Sequence, residues 1–323
     1  NERLLGIHFE EGSQVKYIGS FQGCTGIQFC DLPESVETIA DHAFEGCTML
    51  RDLTLNKGLK YIGISCFEGC TSLKSIKLPG SLKVLRENAF RICTALETVE
   101  FAEDLDFYTD EGGYYSYGFY NNVFHGCESL HTVILPKSAS KGLIIPPSTF
   151  SWCSNLKSIE FPANTCRIGQ RAFCRSGIEN LDLTAVTSDK IYVEGYYSFA
   201  ECENLKSIKA NGNFQFDRTS LYTFQDCKAL KSVTINGSGD DYIEITPDAF
   251  RWCDNLETVE VYRLKGTGEI NEMDSVFVGC KSLKKFTSIC SPELNKIGYS
   301  CFDGCESLTE VPIPEQAFVV SET

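Results

Sequence analysis

The chain carries seventeen cysteines but only four histidines, so any thiol or imidazole chemistry has few places to assemble. One segment brings the two types together: His125-Gly126-Cys127-Glu128-Ser129-Leu130-His131. A cysteine beside a histidine can act as a nucleophile, because the imidazole takes the thiol proton. His42 and His8 have no such neighbour in sequence. Asp104 with Asp106, and Asp240 with Asp241, are paired carboxylates that could attract calcium, but neither pair has the spacing of a calcium loop. No Gly-x-Ser-x-Gly elbow, glycine-rich phosphate loop or His-Glu-x-x-His helix is present. The Cys-x-x-Cys spacing of structural zinc is also missing. The expectation is a non-enzymatic chain with no catalytic residue, no metal and no cofactor.

Most of the cysteines have a simpler explanation. Phe44-Glu-Gly-Cys47-Thr-Met-Leu50-Arg-Asp-Leu53-Thr-Leu55 is followed by Phe67-Glu-Gly-Cys70-Thr-Ser-Leu73-Lys-Ser-Ile76-Lys-Leu78. The frame recurs from Phe21, Phe90, Phe124, Phe150, Phe173, Phe199, Phe224, Phe250, Phe277 and Phe302. Fixed periods of this size mark a solenoid, in which each unit packs only on its neighbours. Cys127 belongs to the frame, and His131 falls where most other copies carry Lys, Arg, Glu or Gln, so the pair reads as one core and one surface residue. The frame cysteines, from Cys24 to Cys305, should stack as a ladder of small buried thiols. A disulfide framework is the alternative, but every ladder cysteine has equivalent neighbours on both sides, and pairing them would strain a regular coil. The copy at Phe173 is one residue short and lacks a frame cysteine, a gap that Cys174 could fill. Cys166 and Cys290 are the expected exposed thiols.

Each copy reads in two parts. The Leu-x-x-Ile-x-Leu segment ends in period-two alternation, which predicts a short strand with alternate side chains inward. The second part, such as Leu59-Lys-Tyr-Ile62-Gly-Ile-Ser-Cys66, carries further apolar anchors and reads as the returning side of the coil. These residues resemble the BspA-like leucine-rich repeats, a bacterial class first described from Treponema, with consensus close to L-x-x-I-x-L-P-x-x-L-x-x-I-G-x-x-A-F-x-x-C. Leu73 through Leu96 follows it closely, with Leu85-Arg86 where Ile-Gly is usual. The resemblance implies an α/β-type leucine-rich repeat solenoid of about twelve repeats, coiled right-handed. Short parallel strands would line a concave face, with loops or short helical turns on the convex side. Residues 1–20 would form a cap or incomplete first repeat, 21–314 the repeats, and 315–323 the end, all in one solenoid domain. Ile313-Pro-Glu-Gln-Ala-Phe318 resembles the start of a further copy. Family members are commonly surface or secreted proteins of host-associated microbes. The resemblance therefore implies an adhesin-like module, extracellular or at the cell surface, that binds a protein or a glycan. A scaffold inside the cell or periplasm is the alternative, and a structural spacer is another.

A formal net charge of -15 argues against nucleic acid as a partner, and no apolar run is long enough for a membrane span. A monomer is expected. The partner surface should lie on outward strand positions. The central outward row reads Asp31, Thr54, Lys77, Glu100, Ile134, Glu160, Asp182, Lys209, Thr234, Glu260, Thr287 and Pro312. Glu100, Ile134, Glu160, Asp182, Thr234 and Glu260 are the candidates within it. The row before it is rich in serine and threonine, which also simply suit a crowded sheet. The second candidate is the insertion Asp104–Asn122, with Tyr108, Tyr114, Tyr115, Tyr117 and Tyr120 in a Tyr/Gly/Ser-rich stretch of the kind favoured at recognition surfaces. Trp152 and Trp252, two residues after a frame phenylalanine, read as packing variants.

Overall fold

The structure, a computed structural model, describes residues 1–106, 119–137, 142–237, 242–265, 272–290, 296–298, 300–311 and 318–319. Two compact units are present, Asn1–Asn164 and Thr165–Thr323.

In the first unit the alternating segments form the predicted parallel ladder. Gly6–Ile7, Phe29–Asp31 and Asp52–Thr54 pair in order, and Ser75–Leu78, Thr98–Phe101 and Thr132–Ile134 do the same. Register follows the repeat: Lys77 faces Glu100, which faces Ile134. In the second unit Asn180–Asp182, Ser207–Asn211, Ser232–Asn236, Thr258–Lys265 and Lys285–Cys290 continue the pattern, with Asp182, Lys209, Thr234, Glu260 and Thr287 in one row. The inward positions are branched aliphatics such as Ile76, Val99, Ile208, Val233 and Val259, all buried. They suit a pleated surface packed on one face.

The returning side corrects the α/β label. No described residue is helical. The second half of each coil makes another parallel ladder instead: Tyr17–Ile18, Thr38–Ile39, Tyr61–Ile62 and Val84–Leu85 in the first unit. Thr165–Ile168, Ile191–Val193 and Phe214–Phe216 form its counterpart in the second unit. Two to four residues per strand suffice because the coil is closed by a third set of bonds at the phenylalanine turn. The amide of Phe44 donates to Cys66 O at 2.8 Å, Phe67 to Ala89 O at 2.8 Å, and Phe90 to Val123 O at 2.9 Å. Phe173, Phe199 and Phe224 repeat the link to Ser198, Thr223 and Ala249. A left-handed residue brackets the turn on each side: two positions before the phenylalanine (Ser65, Asn88, Tyr197) and two after it (Gly46, Gly69, Trp152). Two reversals of hand within five residues leave no room for a helical turn to propagate.

The core is a stack of rings. Phe44, Phe67 and Phe90 lie parallel at centroid distances of 5.3 and 5.1 Å, and Phe173, Phe199 and Phe224 at 5.1 and 5.3 Å. Beside them runs the thiol ladder. Cys70 Sγ donates to Phe44 O at 3.3 Å, Cys93 to Phe67 O at 3.2 Å, and Cys127 to Phe90 O at 3.3 Å. Each carbonyl also receives an amide from its own coil, for example Cys70 N–H to Phe67 O at 3.1 Å. The thiol therefore fills a second lone pair that an apolar residue of its size would leave bare. In the short copy Ser176, not Cys174, takes this slot. Its amide bonds Phe173 O at 2.9 Å, and its hydroxyl meets Cys202 Sγ at 3.5 Å. Serine keeps the donor that the position uses.

Candidate partner-binding groove

The predicted chemistry is not assembled. Cys127 is fully buried, bonded to Phe90 O, and burial pushes its thiol well above the ordinary range, so it cannot supply a thiolate. His131 turns to Thr132, with Nδ1 3.0 Å from Oγ1. His125 is half-buried, and burial, followed by the Arg91 charge, holds its imidazole below the usual value. Among the described residues no cluster of three His, Cys, Asp or Glu is placed to hold a metal ion. Cys166 is half-buried rather than exposed, with its thiol raised by burial. The side chain of Cys290 lies outside the described ones.

The outward candidates fall into different states. Glu100 pairs with Lys77 of the neighbouring coil, and Glu260 with Lys285 at 2.8 Å. Asp182 serves its own turn: it accepts from the Thr184 hydroxyl at 2.6 Å and amide at 3.0 Å, bonds that hold its carboxyl below the usual range. Thr234 is half-buried in the middle of its row. Glu160 is exposed and has no ion pair among the described residues, and Ile134 keeps 48% of its surface in solvent. Tyr108, Tyr114, Tyr115 and Tyr117 lie outside the described residues, as does Pro312. Tyr120, where the insertion returns, is half-buried under the Arg86 guanidinium, 4.7 Å from its ring centroid. Phe119 beside it joins the core, packed 5.6 Å from Phe101.

Ile134 and Glu160 are brought together by an interruption of the strand ladder. Leu156-Lys157-Ser158-Ile159-Glu160-Phe161-Pro162 has every residue of the strand motif, yet it forms no strand. No backbone hydrogen bond joins 131–135 to 157–160. The two coils are pinned on either side of the gap, by Asn155 to Glu128 O and by Leu143 N–H to Asn164 O at 2.9 Å. Between the pins a groove of about 600 Å³ opens on the outward face. His131, Ile134 and Lys137 line one bank; Ser158, Ile159 and Glu160 line the other. This volume lies in the range that takes small ligands or short peptide segments.

Residues 11–111, 118–257 and 218–322 match the description "BspA type Leucine rich repeat region (6 copies)". The chain belongs to the BspA-type leucine-rich repeat proteins. Among solved structures, a leucine-rich repeat protein from Bacteroides ovatus is similar over 99% of this chain and 92% of its own, at 20% identity and a TM-score of 0.59. That likeness shows the fold. A leucine rich cell surface protein from Faecalibacterium prausnitzii aligns over 90% of this chain and 88% of its own, at 22% identity and a TM-score of 0.38. A leucine-rich repeat protein of T. pallidum covers 63% of this chain and 78% of its own, at 24% identity and a TM-score of 0.44. No curated protein matches the sequence. BspA-type repeats are a protein-interaction scaffold, a role that suits a repeating outward face better than a buried catalytic pocket. No described helix is long and apolar enough to cross a membrane.

Proposed function

We propose that the chain is a non-enzymatic binding module of the adhesin type, secreted or held at a microbial cell surface, that takes a protein partner on the outward face of its strand ladder. The observation that carries this reading is the groove at Ile134 and Glu160. There an exposed aliphatic side chain and an unpaired carboxylate stand beside a concave surface, while the acids at Glu100 and Glu260 are already neutralised by lysines. Binding energy concentrates where an apolar anchor meets a sheltered pocket. The insertion with Tyr108, Tyr114, Tyr115 and Tyr117 is proposed as a second contact on the strength of its composition.

The test is capture by immobilised extracellular-matrix proteins and glycans. Ile134→Glu and Glu160→Lys, each at an exposed position, should weaken capture about tenfold or more, the usual loss at a central contact. Alanine at Tyr114, Tyr115 and Tyr117 should weaken it independently. Capture unchanged by all five substitutions would refute the assignment of both surfaces. A second reading is a scaffold inside the cell, which the same outward groove would serve. Antibody labelling of intact against permeabilised cells separates the two, since a surface module is labelled without permeabilisation.

A further inference from the structure

The gap in the ladder leaves main-chain groups without partners. In a parallel strand the N–H and C=O of one residue point to the same side, and successive residues alternate. Thr132 N–H donates to Glu97 O at 3.1 Å, toward the Thr98–Phe101 strand. Val133 N–H and C=O therefore point the other way, into the groove, where no described group receives them. Val133 is buried as a whole residue and lines the groove, so these polar groups sit at the floor of the slit rather than on open surface. Buried main-chain donors and acceptors are almost always paired, and an open strand edge is a template for another strand.

We propose that the slit between Thr132–Ile134 and residues 157–160 receives an extended polypeptide segment, which pairs through its own backbone with Val133 and completes the interrupted ladder. The proposal deepens the protein-binding reading above and rests on it. The walls specify the segment. Alternate side chains of an added strand would face inward toward Val133 and Ile159, and outward beside Thr132, Ile134, Ser158 and Glu160. The inward positions call for aliphatic residues. The outward ones call for polar residues with a lysine or arginine opposite Glu160, whose carboxylate has no ion pair among the described residues. A chain of net charge -15 favours the same basic segment at longer range.

The experiment uses the full chain and a fluorescein-labelled peptide in which valine alternates with threonine and lysine. Amide hydrogen exchange is resolved at Val133, with Val99, which is paired in the same sheet, as the internal reference. In the free protein Val133 should exchange much faster than Val99, and saturating peptide should slow it. Methylating alternate backbone nitrogens of the peptide leaves its side chains intact and should weaken binding about tenfold, the equivalent of one or two lost hydrogen bonds. Glu160→Gln should weaken binding of the lysine peptide and leave a lysine-free version unchanged. Slow exchange at Val133 in the free protein would overturn the proposal. If it is independent of protein concentration, the coils close on each other; if it rises with concentration, a second copy of the chain fills the slit. Peptide binding without protection of Val133, or no binding at all, would overturn it too. Each of these results leaves the outward-face reading to stand or fall on the Ile134 and Glu160 capture assay.

Discussion

Replacing Phe67 by leucine tests whether the ring stack or mere burial holds the coils together. Phe67 is fully buried and stacked on both faces, against Phe44 at 5.3 Å and Phe90 at 5.1 Å, each with an interplanar angle of 9°. Leucine buries a similar apolar area, so the transfer contribution nearly cancels. What is lost is two ring contacts, each worth about 0.5–1.5 kcal/mol beyond burial. A shape mismatch in a packed core adds up to about 1.5 kcal/mol. The expected cost is roughly 1–4.5 kcal/mol by these figures. Phe21 provides the control. It is only half-buried and stacks on one described ring, Phe44, at 5.4 Å and 23°. Phe21→Leu should cost about 1 kcal/mol, since one imperfect contact is removed where the surroundings can relax. Urea unfolding followed by circular dichroism gives both values, and amide exchange should show the loss at the coils of Phe44 and Phe90 first. Equal destabilisation by the two substitutions would refute the account, because the stack would then add nothing that burial does not.

The thiol ladder and the half-buried histidine give three further expectations. Iodoacetamide at neutral to mildly alkaline pH should leave Cys70, Cys93 and Cys127 unmodified until denaturant is added, since burial raises all three thiols well above their ordinary value. Cys24 and Cys166, both half-buried, should be the first labelled, as read by peptide mass spectrometry. Ser176→Cys should be tolerated within about 1 kcal/mol, because a thiol already fills this slot in the neighbouring coils and substitutions that conserve volume cost little; a larger loss of stability in urea would show that the hydroxyl is specifically required. His125 has its folded-state value lowered from 6.5 by burial, so the unfolded chain takes up the proton first. Its neutral form is accommodated above pH 6.5, and stability should fall as pH drops below that value. His125→Gln should flatten the decline measured by urea midpoints between neutral pH and pH 5.

The register of the outward row was legible because it depends on a count. Asp182, Lys209, Thr234 and Glu260 lie side by side for the same reason that Phe173, Phe199, Phe224 and Phe250 do. Ser176 could have been found by the same count, three residues after Phe173, where hydrogen-bonding capacity rather than element identity decides the substitute. The second ladder was not legible: strands as short as Tyr61–Ile62 contain no period to detect. The slit was hidden for the opposite reason. Ser158-Ile159-Glu160-Phe161 carries the full local signal for a strand, and whether it pairs depends on how far its coil sits from Thr132–Ile134, which no local preference encodes. The left-handed positions were hidden too, since His42, Ser65, Arg171 and Tyr197 share a backbone conformation and no chemistry.

The other left-handed position, two residues after the phenylalanine, changes the meaning of Trp252. Trp252 stands where Gly279 and Gly304 stand in the next two coils, with φ at 59°. A non-glycine residue held there costs about 1–2 kcal/mol. A residue that only filled the core would recover this by burial, yet Trp252 remains 42% exposed. Its ring is not idle. The Arg251 guanidinium sits 4.5 Å from the ring centroid, and the indole covers Gly279 so closely that a Cβ there would come within 2.6 Å of it. An exposed cation–π contact is worth about 0.5–1 kcal/mol. That contact and the backbone cost nearly cancel, so Trp252→Gly should change stability by less than about 1 kcal/mol in urea, whereas Trp252→Ala, which keeps the strain and loses the ring, should be the more damaging of the two. If glycine costs several kcal/mol, Trp252 is a packing residue after all. If it costs almost nothing, folding does not account for an exposed indole at a strained position, and the ring is available for contact with a partner.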